Sequence, residues 1–478
     1  MPIMIPNEVL ENVLKRKNIY EIPKPTAILT ASRPGTGKTV TTQAFCIQTR
    51  NTAFFCKEES DLAQQRLKFT SQGQLPSMKD YLGFYASSTK DEEKLELSPF
   101  LGDFAFKVPF ASEFNGRHFT IGTLGNLIAQ AELNLRLGKS PVIDNLGVVR
   151  RLKDGCFANI LSYFSERSYP NAVLFFRAEP SQLWQRMYDR GKDDPYTRER
   201  DKPILGESPE SIEWKTHLSK QPVGIEEMKF FSHLVVDTSN PNKKSLEDSI
   251  NECVEKIVDY VISRSRQRDE LLYRVDETGK VLGAVHYSVA HQKGREGIRH
   301  LAVNTFVYRT PEGKEILLEL RKKVNRPGIW CVPGGQVTYQ YPSLEDYRRL
   351  LAELSLDIAS SLTMTKEQLA SLEARSRQVS VERAVYESIE REISEEIFNK
   401  APIPKDMKFK EVYRVAKQTR PEDAEFEIMY ETVCQGPFQP GEEVSELRWF
   451  NISELRIDIS KNPEKYANSL RIQLENLK

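Results

Sequence analysis

Cysteine, histidine and net charge are all scarce in this 478-residue chain, and each shortage excludes something. The six cysteines (Cys46, Cys56, Cys156, Cys253, Cys331 and Cys434) show no CxxC spacing, which argues against a zinc knuckle or a disulfide framework and fits a reducing cytosol. Lys+Arg and Asp+Glu both total 68, so global charge indicates neither a nucleic-acid nor a membrane partner. No apolar run approaches the ~20 residues that span a bilayer. Met1 to Pro25 lacks a basic-then-apolar secretory pattern, so a cytoplasmic protein is expected. Of the six histidines, His286, His291 and His300 cluster in sequence. Their strand and loop context gives no metal-ligand spacing, and they read as structural or surface residues. No Ser-His-Asp or Cys-His arrangement can be argued.

What is present begins at Thr26–Ala31, an apolar run that suits a buried strand. It ends in Ser32-Arg33-Pro34-Gly35-Thr36-Gly37-Lys38-Thr39, and a helix-compatible segment, Val40 to Ile47, follows at once. Gly35 and Gly37 let the backbone curl so that N–H groups converge. Lys38 can reach β/γ-phosphates, and the Thr39 hydroxyl can hold Mg²⁺. This stretch resembles the Walker A loop of P-loop NTPases and kinases, with Ser32 where the first Gly is expected. The resemblance implies an ATP-phosphate cradle over Ser32, Arg33, Pro34, Gly35, Thr36, Gly37, Lys38, Thr39 and Val40. A Gly-rich turn opening a helix, with an ordinary surface Lys, is the plainer reading.

Further apolar segments follow at Ala53–Cys56, Pro141–Asp144, Asn171–Ala178 and His233–Thr238, separated by helix-compatible stretches such as Leu124–Leu137 and Leu246–Ile262. Buried strands alternating with helices read as a parallel sheet covered on both faces, with ligands beyond the strands' C-terminal ends. Asp144 is there a candidate for holding Mg²⁺ or orienting a substrate hydroxyl; it equally suits a helix N-cap. Arg186 and Arg190 are four apart and share a helix face, which can aim two guanidiniums at a transferring phosphoryl group. The charged piece Arg190–Lys202 would be a lid, or simply a solvated loop. These parts, with Val235-Val236-Asp237-Thr238-Ser239, resemble nucleoside and nucleotide kinases of the thymidylate and adenylate kinase kind. That resemblance implies catalytic roles for Lys38, Arg186 and Arg190, with Thr238 to Asn242 near the adenine.

Residues 263–269, polar and without periodicity, read as a linker between a domain over 1–262 and one over 270–478. The second begins with a hairpin, Leu271–Asp276 and Val281–Val289, then Leu301–Arg309, Ile316–Arg321 and Gly328-Ile329-Trp330-Cys331-Val332-Pro333-Gly334-Gly335. Further on comes Arg391-Glu392-Ile393-Ser394-Glu395-Glu396. Glu392, Glu395 and Glu396 are three and four apart, so their carboxylates share one side of a helix within reach of Mg²⁺. Arg391 can pair with Glu395 one turn on. Val381, Val385, Ile389, Ile393 and Ile397 form the apolar stripe.

The two stretches together resemble the Nudix hydrolase motif. The resemblance implies metal ligands at Gly335, Glu392, Glu395 and Glu396, with the three Glu catalytic. Three features depart from the family pattern: about fifty residues stand between Gly335 and the helix, far above ordinary connections; Arg383 occupies the place of the intermediate Glu; and Phe398 replaces a Gly. The intervening Leu344–Leu362 and Lys366–Arg377 read as a helical hairpin inserted at about 340–380, a candidate substrate gate, contact to the first domain or homo-oligomer contact. Phe409–Gln418, Ala424–Gln435 and Glu446–Phe450 read as strands. The general base is one of the three Glu or an acid within Glu422–Glu427.

The expected fold is α/β: a P-loop NTPase-type parallel sheet with flanking helices, then an α+β Nudix sandwich with a mixed sheet. The expected function is bifunctional nucleotide processing on small-molecule substrates. It combines ATP-dependent phosphoryl transfer to a nucleoside, nucleotide or related acceptor with Mg²⁺-dependent hydrolysis (Mn²⁺ as an alternative ion) of a nucleoside diphosphate-linked substrate. The alternative is a P-loop kinase or NTPase whose Nudix domain senses a nucleotide and regulates it.

Overall fold

The computed structural model describes residues 20–33, 36–49, 53–56, 131–132, 134–136, 138–143, 156–193, 202–219, 228–239, 244–266, 269–294, 296–322, 328–340, 349–350, 352–354, 366–420 and 423–477. It divides into two compact units, one of residues 1–269 and 343–375, the other of 270–342 and 376–478. Among the described residues no helix is long and apolar enough to cross a membrane.

The first unit holds a parallel sheet of β1 (Ala27–Ser32), β2 (Ala53–Cys56), β3 (Ser140–Ile143), β4 (Asn171–Arg177) and β5 (Leu234–Asp237), in the order β2-β3-β1-β4-β5. β1, β3 and most of β4 are buried, as expected of a sheet covered on both faces. The helices of this unit are α1 (Lys38–Gln48), α2 (Cys156–Glu166), α3 (Pro180–Asp193), α4 (Ile212–Ser219) and α5 (Leu246–Arg266). α5 presents Ile250, Cys253, Val254, Ile257, Val258 and Val261 to a core shared with Ile28, Phe45, Leu174 and Phe176; the three-and-four spacing is that of one helix face. A second cluster joins Leu183, Trp184 and Met187 of α3 to Leu205 and Trp214. β1 lies between β3 and β4, so the chain leaves it toward one side of the sheet and later returns on the other. The crevice at such a switch point is where open α/β sheets bind ligands, and Ser32 ends β1 there.

α5 continues past Ile262 to Arg266, so the first four residues read as linker are helical. The cause is Arg264, whose buried guanidinium donates to the Asn171 carbonyl at 3.1 Å and pairs with Asp269 at 3.0 Å.

The second unit is built on a mixed nine-stranded sheet. β6 (Leu271–Val275) and β7 (Val281–His286) form the expected hairpin, but Tyr287–Ala290 turns into a short helix, α6, where strand was expected through Val289. β8 (His300–Tyr308) is central: β13 (Asp423–Val433) runs parallel to it, and β12 (Lys410–Arg420) pairs antiparallel with β13. β9 (Glu315–Arg321) carries β10 (Trp330–Cys331) and β14 (Val444–Asn451), while β11 (Gly334–Gln336) lies antiparallel on β8. α7, Lys366–Ile397, is one uninterrupted helix of 32 residues. Lys366–Arg377 is therefore the first part of that longer helix, and from it Arg375 donates to Glu353 Oε2 at 2.8 Å. No Gly or Pro occurs between 366 and 397 to break the helix, which continues directly into the Arg391–Glu396 stretch. Leu344–Leu362 lies largely outside the described residues. Val385, Ile389, Ile393 and Ile397 seat the helix on Val303, Val307, Leu317 and Val337. α8 (Ile452–Lys461) and α9 (Asn468–Glu475) follow, with Leu455, Ile459, Leu470 and Leu474 packed against Phe306, Leu318 and Met429.

Candidate active sites

In the second unit, two glycines determine where α7 sits. Gly334 has φ 154° and lies so close to β8 that a Cβ would stand 2.3 Å from the Val303 carbonyl oxygen. A Cβ on Gly335 would stand 2.4 Å from the Glu392 carboxylate. The bare backbone of 334–335 is thus what lets the glutamate face of the helix approach. The Gly334 amide donates to Glu396 Oε2 at 2.9 Å. Arg391 fixes the helix to the same strand, donating to Gln336 O at 3.1 Å, Thr338 Oγ1 at 3.0 Å and Glu392 Oε1 at 2.7 Å. Its expected pairing with Glu395 is replaced by these contacts, because the strand backbone lies on its side of the helix and Glu395 points outward, exposed.

The carboxylates are crowded and dry. Burial first, then the charges of Glu319 and Glu392, push the Glu396 carboxyl well above the usual range. Burial likewise raises Glu392, against the pull of Arg391 and with the push of Glu395 and Glu270. Glu319, on β9 and 1% exposed, is raised by burial against the pull of Arg321. Its Oε1 receives Arg321 Nε at 3.2 Å and the Cys331 thiol at 3.2 Å. Among the described residues no donor reaches its Oε2, and the Glu396 carboxyl is an interacting neighbour. Two buried carboxyls in contact cannot both ionise without a proton or a cation between them. The donor set of Glu392, Glu396 and their neighbour Glu319 therefore fits a hard divalent ion, which takes oxygen ligands.

Glu319 went unnoticed in the sequence, although an acid inside the apolar run Ile316-Leu317-Leu318-Glu319-Leu320 is itself a signal. Glu270, just ahead of β6, is a further acid felt by Arg391 and Glu392. Glu425 lies beside this region, accepting from Gln336 Nε2 at 2.9 Å and pairing with the buried Lys417 at 2.9 Å. Against its own burial, Lys417 above all holds Glu425 down to about 2. Glu427, at 0% exposure, also pairs with Lys417 and accepts from Gln473 Nε2 at 2.8 Å. Glu422 lies outside the described residues.

In the first unit, Ser32 is the last residue of β1 and lies in register with Phe176. Gly37 caps α1 in the left-handed conformation, φ 73°, and Lys38 begins the helix. Thr238, just past β5, ties the loop down: its hydroxyl donates to the Thr36 carbonyl at 2.5 Å. Arg186 of α3 reaches the same point, donating to Thr238 Oγ1 at 3.1 Å and Thr238 O at 2.8 Å, with its Nη1 3.7 Å from a Cβ placed on Gly37. Desolvation lowers the pKa of this guanidinium. Arg33 turns away, donating to His217 O at 2.8 Å and Leu218 O at 2.9 Å at the end of α4. Val40 packs against the core, so only its backbone can serve a ligand. The structure thus brings Thr36, Gly37, Arg186 and Thr238 together. Pro34, Gly35, Asp144 and residues 194–201 of the expected lid lie outside the described residues, as do the side chains of Thr39 and Arg190.

No protein-family model matches the chain, and no curated protein matches it. Among solved structures it is similar to a protein of Deinococcus radiodurans, at 16% identity over 43% of this chain and 98% of that one, with a TM-score of 0.28. It is similar to a MutT NUDIX hydrolase of Burkholderia pseudomallei, at 20% identity over 38% and 98%, TM-score 0.23. It is also similar to the NUDIX domain of Shewanella oneidensis NrtR, solved with ADP-ribose, at 14% identity over 37% and 84%, TM-score 0.22. At these identities the likeness is at most one of fold.

Proposed function

We propose that the second unit is a Nudix-type, Mg²⁺-dependent hydrolase of nucleoside diphosphate-linked substrates, and that the first is a P-loop kinase acting on a nucleoside, nucleotide or similar small acceptor. The observation that carries the hydrolase reading is the closure of Glu392 and Glu396 on Gly334-Gly335, with Glu319 against Glu396 from the sheet. Mg²⁺ or Mn²⁺ bound there supplies charge neutralisation at a pyrophosphate and an activated water. Gly335, Glu392, Glu395 and Glu396 would hold it, with Glu319 behind them. Glu425 is a poor general base, because its pairing with Lys417 leaves the carboxylate little proton affinity.

The kinase reading is supported by the placement of Thr36–Lys38 at the switch point of a parallel sheet, with Arg186 against Gly37. Lys38 and the loop amides would hold the phosphates of ATP, and Arg186 with Arg190 would stabilise charge developing on the transferred phosphoryl group.

A panel of nucleoside mono-, di- and triphosphates and dinucleotides, incubated with Mg²⁺ with and without ATP and read by product mass, tests both halves. Lys38→Ala should remove an ATP-dependent phosphorylated product, and Glu395→Gln a hydrolytic one. If Glu395→Gln changes no product while Lys38→Ala does, the second unit is a nucleotide sensor instead.

A further inference from the structure

His291, His300 and Asp423 come from three separate places, the turn after α6 and the first residues of β8 and β13. Parallel pairing of β13 with β8 sets Glu425 opposite His300, and so delivers Asp423 to the same end of the sheet. One ligand atom from each of the three lies within 4.8 Å of the others. His291 Nδ1 and Asp423 Oδ1 are 3.6 Å apart, too long for a hydrogen bond. It is near the ~3.4 Å that separates two ligands of a tetrahedral ion with bonds of about 2.0–2.1 Å.

His300 supplies the second, independent observation. It is 0% exposed, and its Nδ1 lies 2.8 Å from the Ile298 carbonyl, which can only accept. The proton is therefore on Nδ1, and the Nε2 lone pair is buried with no hydrogen-bond partner. A ring nitrogen oriented in this way, with its opposite N–H held by a backbone carbonyl, is prepared for a metal. The two imidazoles meet edge to face at 4.6 Å, and Tyr287 covers His291 at 4.4 Å, which limits water around them.

We infer that His291, His300 and Asp423 form a second metal site, distinct from the glutamate site, for a borderline divalent ion of the Zn²⁺ class. Two imidazoles and one carboxylate are the donors such an ion takes, whereas Mg²⁺ prefers oxygen alone. The ion would pin the 291–300 turn to the start of β13.

The test uses the full chain, stripped with chelator, then equilibrated with Zn²⁺ in excess Mg²⁺ and desalted for metal analysis. One retained equivalent of Zn²⁺ is expected. It should be lost in His291→Ala and in Asp423→Asn, and kept in Glu392→Gln. Co²⁺ in place of Zn²⁺ should give a visible absorption band with imidazole character, absent from His291→Ala. Because wild-type retention and the wild-type Co²⁺ spectrum need no variant, a folding defect in a variant leaves the inference open to refutation. Wild-type protein that retains no Zn²⁺, or equal retention in His291→Ala and Asp423→Asn, would overturn it.

Discussion

On the proposed reading, the two candidate sites would meet phosphate with opposite charge. In the first unit the left-handed Gly37 lies against Arg186 and Lys38 opens α1, an arrangement that would hold an anion directly on that reading. In the second, Glu319, Glu392 and Glu396 crowd together beside Gly334-Gly335, and on the same reading a cation would neutralise them before a phosphate approached. The difference also appears in how each site is assembled. In the first, hydrogen bonds tie the turn at Thr36–Gly37 to Thr238 past β5, and Thr238 to Arg186 of α3. In the second, two stretches about fifty residues apart meet through the docking of one long helix.

The contrast can be broken from either side. The largest effect is expected from Glu396→Gln, which keeps the shape but removes the buried charge: Mg²⁺-dependent hydrolysis should fall about 100-fold or more, ~2.7 kcal/mol of barrier, with the ATP-dependent product unchanged. Lys38→Ala should act on the other product alone. Losing a charge-assisted contact of about 1.5–3 kcal/mol should weaken ATP binding roughly ten- to a hundredfold, measurable by calorimetry. Gly335→Ala inserts a methyl group against the Glu392 carboxylate and should cost about 1–3 kcal/mol of stability as well as metal affinity, seen in denaturant melts with and without Mg²⁺.

A smaller effect sharpens the comparison through pH. Burial raises Glu396, Glu392 and Glu319, with the charges of Glu319 and Glu392 adding to the rise at Glu396, so the folded state keeps protons that the unfolded chain releases above about 4.3. Their contribution to stability is fully present below that pH and is lost as pH rises through the raised folded values. In chelator, wild type should therefore lose stability relative to Glu396→Gln as pH rises toward neutrality, and Mg²⁺ should restore more of it at the higher pH. Melting curves of the two proteins across that range check the sign.

The strands of the first unit were legible because buried parallel strands are short apolar runs, and all five observed strands lie within a residue or two of the runs that predict them. The glycine pair and the glutamate stretch were legible for the same local reason. What the sequence hid was contact at long range. Glu319 joins Glu396 across 77 positions of chain, and Asp423 meets His291 and His300 only because β13 lies parallel on β8. Spacing within one stretch carries no trace of either meeting. The helix that begins at Lys366 runs on past Arg377, because Leu- and Glu-rich helical periodicity marks helix without marking where one helix stops, and nothing between 366 and 397 stops it.

The most direct measurement of the central claim is product mass from one nucleotide panel, run in Mg²⁺ with ATP on wild type, Lys38→Ala and Glu396→Gln. Each variant should lose a different product, leaving the other's intact. If Glu396→Gln retains every product made by wild type, the glutamate site is not a hydrolase and the two-site reading is contradicted.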